Sequence, residues 1–144
     1  MASAGSALSV AAIGAGRQTM RNFKALDGKT QINSAPKYLL VGAALETQSE
    51  QILAAIYASS VEAVNPFSGK LTLLVDPRLP GNAWYLFADP AAVPCLEQAT
   101  IASEPGPQIQ SRPGWDTLGT EFRVFLHVGA GAIDWRGAYL NAGA

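Results

Sequence analysis

Residues 120–128, Thr-Glu-Phe-Arg-Val-Phe-Leu-His-Val, alternate in polarity, with Phe125 the one apolar residue on the polar side. Phe122, Val124, Leu126 and Val128 fall on one side, and Glu121, Arg123, Phe125 and His127 on the other. Successive side chains of an extended chain point to opposite faces, so this spacing predicts a half-buried β-strand. It constrains the fold more than any other stretch, because the apolar side needs a second layer to lie against. Upstream, the two prolines of Glu104-Pro-Gly-Pro107 fit neither a helix interior nor a central strand. Gln108–Arg112 is therefore expected as a short edge segment between that break and the final strand.

The rest of the chain reads as a mixture of helices and strands. Residues 6–24 predict a helix, with Leu8, Ala12, Ala15, Thr19 and Phe23 along one face and Arg17 and Arg21 on another. Gly14 and Gly16 each weaken such a helix by about 1 kcal/mol against alanine, but allow another element to approach closely. Asp27-Gly28 marks a turn, and the apolar run Pro36–Val41 predicts a buried strand. Thr47-x-x-Glu50 matches a capping box, so a helix is expected from there to about Ser59, with Leu53, Ile56, Tyr57 and Ser60 on one side. Asn65–Gly69 reads as a turn. Leu71–Val75 and Ala83–Ala88 predict two strands that pair antiparallel across the loop Asp76–Asn82. A further short strand is expected within Val93–Ile101.

A chain of 144 residues fits one domain or a compact pair of subdomains. At that size roughly 70% of the unfolded surface can be buried, enough for a core without disulfides or metal. Charged residues make up only 15%, against roughly 25% in average soluble domains, which suits a surface partly covered by partners. The single cysteine, Cys95, excludes an intramolecular disulfide and a cysteine-rich metal site. It is expected as a small buried hydrophobe in a reducing compartment. No apolar run approaches the roughly 20 residues of a membrane span. The apolar stretch near the N-terminus precedes the first basic residue, Arg17, which argues against a secretory leader. The net charge of −1 is unevenly spread: residues 1–45 hold five basic and one acidic residue, net +4, and residues 46–144 five basic and ten acidic, net −5. That asymmetry suits head-to-tail packing of identical subunits, or equally a solvated basic helix end.

Several motifs suggest chemistry that their spacing does not support. Gly28-Lys29-Thr30 looks like the end of a phosphate-binding loop, but the first glycine of that loop would fall at position 23, which is Phe. Gly129-Ala-Gly131 would need a third glycine at position 134, which is Asp, and Gly14-Ala-Gly16 would need one at position 19, which is Thr. These glycines are expected at close-packing or bending positions instead. His127 is the only histidine and is expected at the surface or an interface. No serine lies in a Gly-x-Ser-x-Gly elbow, and the basic residues lack the clustering of a nucleic-acid platform. Asp134-Trp135-Arg136 reads as an anchor for the C-terminal tail or as a subunit contact. No catalytic, cofactor-binding or metal-ligating residue is expected.

The ordered set Leu26-Asp-Gly-Lys-Thr, Pro36-Lys-Tyr-Leu-Leu-Val, Leu45-Glu-Thr, Leu71-Thr-Leu-Leu-Val-Asp-Pro-Arg-Leu, Trp84-Tyr-Leu-Phe-Ala-Asp-Pro, Trp115-Asp-Thr-Leu-Gly-Thr-Glu-Phe-Arg-Val and Gly129-Ala-Gly-Ala-Ile-Asp-Trp-Arg-Gly-Ala-Tyr resembles tailed-phage and prophage major capsid proteins of the Mu-like subgroup. The likeness covers about residues 6–141. It implies the Hong Kong 97-type α+β fold: residues 1–112 as an axial-domain-like mixed sheet flanked by helices, and residues 113–144 as the returning strand and tail of the peripheral domain. Proteins of this type are usually much longer, so the chain is expected to be a C-terminal portion whose N-terminal arm, extended loop and spine helix lie before residue 1. The resemblance implies a structural virion protein, not an enzyme, that self-associates into an icosahedral shell. Its partners would be copies of itself, the missing N-terminal part of a capsid protein, and scaffold, prohead protease and portal. It implies no membrane, no specific nucleic acid and no cofactor, and residence in the bacterial cytoplasm before assembly. The alternatives are a prophage-derived module that binds or resizes another capsid, and a small enzyme, which would show a deep pocket lined by convergent carboxylates.

Overall fold

The computed structural model describes residues 5–54, 69–114, 116 and 118–144. In chain order these form α1 (Val10–Arg21), β1 (Pro36–Val41), a 3-10 turn (Ala43–Leu45), α2 (Glu46–Leu53), β2 (Thr72–Val75), β3 (Trp84–Ala88), β4 (Leu96–Thr100), β5 (Gln108–Pro113), β6 (Thr120–Phe125), β7 (Val128–Ala132), a second 3-10 turn (Trp135–Gly137) and β8 (Ala138–Asn141). The chain divides into two compact units, Met1–Cys95 with Ile133–Ala144, and Leu96–Ala132. The first holds the core.

The first unit is built on a four-stranded mixed sheet in the order β2-β1-β3-β8. β1 pairs parallel with β2 and antiparallel with β3, and β8 pairs antiparallel with β3. The register aligns Val41, Trp84 and Asn141 in one row across the sheet, and Leu39, Leu86 and Tyr139 in the next. All six are buried. Alternation in each strand therefore places one continuous apolar face inward. β2 and β3 do not pair with each other, contrary to the expected hairpin, because β1 lies between them. Leading out of β2, the Asp76 N–H donates to the Val41 carbonyl at 3.0 Å, so the loop crosses the end of β1. A Cβ at Gly42 would lie 2.8 Å from the Leu79 carbonyl oxygen, so the crossing requires glycine there.

α1 covers the buried face. Ser9 caps it, its hydroxyl accepting from the Ala12 N–H at 3.1 Å. The helix is shorter than the expected 6–24, and its buried residues are Ile13, Gly16 and Met20, with Ala12 and Phe23 only partly buried. The expected stripe through Ala15 and Thr19 is exposed. Large side chains and the need for close approach decide the rotation. A Cβ on Gly16 would sit 2.9 Å from Leu86 Cδ1 and 3.0 Å from Tyr139 Cε1, whereas one on Gly14 would meet nothing.

The capping box at Thr47 and Glu50 does not form. The helix starts at Glu46 as a continuation of the 3-10 turn, and Leu45 at its N-cap makes no side-chain capping bond. α2 instead buries Ser49, whose hydroxyl donates to the Leu45 carbonyl at 2.7 Å, and Gln48 Nε2 donates to the Leu8 carbonyl at 2.7 Å. α2 ends at Leu53. Ile56, Tyr57 and Ser60, and most of the Asn65–Gly69 turn, lie outside the described residues.

The two chain ends meet beside β3. Ser6 N–H donates to Asn141 Oδ1 at 2.9 Å, and Asn141 Nδ2 donates to Ser6 Oγ at 2.9 Å. The indole N–H of Trp84, the cross-strand neighbour of Asn141, donates to the Ser6 carbonyl at 3.2 Å. Asn141 Oδ1 also accepts from the Gly143 N–H at 3.0 Å.

Two substitutions test this packing. Gly16→Leu forces α1 off the sheet and is expected to destabilise the chain by about 1–3 kcal/mol in urea unfolding, the usual cost of overpacking; Gly14→Ala is expected to leave stability unchanged or raise it. Asn141→Ala strands the amides of Ser6 and Gly143 and is expected to cost about 1–3 kcal/mol. In hydrogen exchange, protection at Ser6 should fall before that of β1.

Candidate assembly surface

The second unit is a pair of two-stranded ribbons, β4-β7 and β5-β6. β4 runs out and β7 runs back, with Leu96 opposite Ala132 and Thr100 opposite Val128. The chain breaks at Ile101–Pro107, where the proline pair prevents β4 from continuing unbroken into β5. β5 and β6 then pair from Gln108↔Phe125 to Pro113↔Thr120. At the stem, the Ile133 N–H donates to the Cys95 carbonyl at 2.8 Å.

Each face of the β5-β6 ribbon has a distinct character. One carries Gln108, Gln110, Arg112, Glu121, Arg123 and Phe125. Arg112 Nε donates to Glu121 Oε2 at 2.6 Å, Arg123 Nε to Gln110 Oε1 at 2.7 Å, and the Arg123 guanidinium lies 5.7 Å from the Phe125 ring centroid. Polar groups on this side satisfy one another. The opposite face carries Ile109, Phe122 and Val124, which are 70%, 71% and 66% exposed. The strand read from residues 120–128 thus exists as β6, but it ends at Phe125, restarts as β7, and is not half-buried. Alternation supplied an apolar face, and among the described residues no second layer covers it.

The other sequence motifs take structural roles. His127 stands 3.3 Å from Glu104 Oε2 and edge-on to the Phe125 ring at 5.4 Å, half exposed at the surface. Gly129 and Gly131 sit in β7 opposite Ala99 and Glu97, and a Cβ at either would meet nothing, so they are neither close-packing nor bend glycines. Gly28-Lys29-Thr30 closes a turn whose ends are bridged between Lys24 and Gln31. Asp27 organises that turn by accepting from the Thr30 hydroxyl and the Lys29 and Thr30 amides, which hold its carboxyl below the usual range. Asp134 Oδ1 accepts from the Arg136 N–H and Nε, both at 2.9 Å, starting the 3-10 turn that leads into β8. These bonds fix the turn that precedes β8. Trp135 stays 67% exposed, its ring edge-on to Phe23 at 5.1 Å. Cys95 is half-buried, and desolvation, with a smaller effect from the Asp134 charge, pushes its thiol pKa up. A raised pKa is the opposite of an activated nucleophile.

Two depressions of about 450 Å³ each lie on the arm. The first holds a single carboxylate, Glu121, already paired with Arg112; the second is lined by Ile101, Leu126 and His127 among others and holds none. Neither depression brings carboxylates together. Among the described residues no group of three or more His, Cys, Asp or Glu could hold a metal ion, and no helix is long and apolar enough to cross a membrane.

Among the described residues the most distinctive surface is the exposed apolar face of β5-β6. A family model described as phage capsid protein matches residues 1–141. The chain belongs to that phage capsid protein family, which supports a structural role in a capsid. No curated protein and no solved structure matches it.

The strongest local electrostatic effect tests the turn that routes the chain over β1. Arg78 Nε and Nη2 clasp Asp76 at 2.7–3.2 Å, and the Arg78 N–H adds a bond at 2.9 Å, lowering the Asp76 pKa from 3.8 to about 2. A depressed folded-state value means that the contribution to stability is complete above pH 3.8 and is lost as pH falls through about 2. Carboxyl NMR titration should find that midpoint, and Arg78→Ala should move it back toward 3.8.

Proposed function

We propose that this chain is a shell subunit of a tailed phage or prophage, acting by self-association into an icosahedral capsid. The carrying observation is the family match over residues 1–141 on a chain that presents an arm with an uncovered apolar face. A mixed sheet with a helix packed on it is compatible with the Hong Kong 97-type fold and with the Mu-like subgroup suggested by the ordered sequence resemblance. On that assignment residues 1–112 are the axial-domain-like region, residues 113–144 carry the peripheral strand and tail, and the chain supplies the C-terminal portion of a subunit. Scaffold, prohead protease and portal are then its assembly partners, and the virion its destination after the bacterial cytoplasm.

Self-association through many modest contacts fits the composition. With 15% charged residues the surface meets little like-charge repulsion when copies approach. The test is size-exclusion chromatography with negative-stain electron microscopy, run on the purified chain and on the chain supplied with an N-terminal capsid segment. The expected result is concentration-dependent oligomers that close into particles. A strictly monomeric species in both conditions would overturn the assignment.

A further inference from the structure

We draw no further inference here: the strongest candidate, the exposed apolar face of the β5-β6 ribbon formed by Ile109, Phe122 and Val124, carries nothing, because among the described residues nothing in the structure shows what covers it.

Discussion

The structure depends on the row Val41–Trp84–Asn141 and on what Trp84 and Asn141 hold. Among the described residues Trp84 is the largest fully buried side chain, and its indole N–H would be a stranded donor if the Ser6 carbonyl did not accept it. Asn141 fixes the same residue from the other strand through two further bonds. Residues 135 positions apart in sequence are thus clamped across an apolar sheet face, and the clamp uses donors and acceptors that burial would otherwise leave unsatisfied. β8 is a short edge strand of four residues. Its place in the sheet rests on this clamp, on the Asp134 turn before it, and on Tyr139 beneath α1.

That arrangement explains how the same chain can afford an arm. Ile133 and Cys95 are joined at the stem, so the 37 residues Leu96–Ala132 leave and re-enter the sheet unit at one point. The core row closes without contribution from them: every residue of the buried cluster lies before 96 or after 132. A structural subunit that must meet neighbours needs this division, since a surface recruited into its own core is lost to partners.

Strand positions were legible in the sequence wherever runs were apolar and bounded by turn residues: Pro36–Val41, Leu71–Val75 and Ala83–Ala88 all correspond to strands within a residue or so. Pairing was not. The Asp76–Asn82 loop has the composition of a hairpin connection, and only the close passage of Leu79 over Gly42 reveals that it crosses β1. α1 was mis-rotated because a chain of Ala, Gly and Thr gives a weak apolar stripe; the helix turned on Ile13 and Met20, with Gly16 between them as the contact point. Thr47 and Glu50 had capping spacing, but the 3-10 turn began the helix earlier and left that spacing unused. Asn141 carried no signal at all, since an asparagine near a chain end gives no indication of burial.

The largest departure, the exposed face of β6, is the one with functional content. A period-two pattern states that one side of a strand avoids water; it does not state whether the cover belongs to the same chain. In the sheet unit the cover is α1, encoded by Ile13, Gly16 and Met20. For β5-β6 the described residues hold no equivalent. Three outward apolar residues, Ile109, Phe122 and Val124, in a chain with few charges would be an aggregation hazard on a free monomer. On the reverse face, Arg112–Glu121 and Arg123–Gln110 hold the ribbon in register without contributing to its cover, so the strand pairing is specified locally while the layer is not. Register is thus encoded within the ribbon, whereas no cover for its apolar face is found among the described residues.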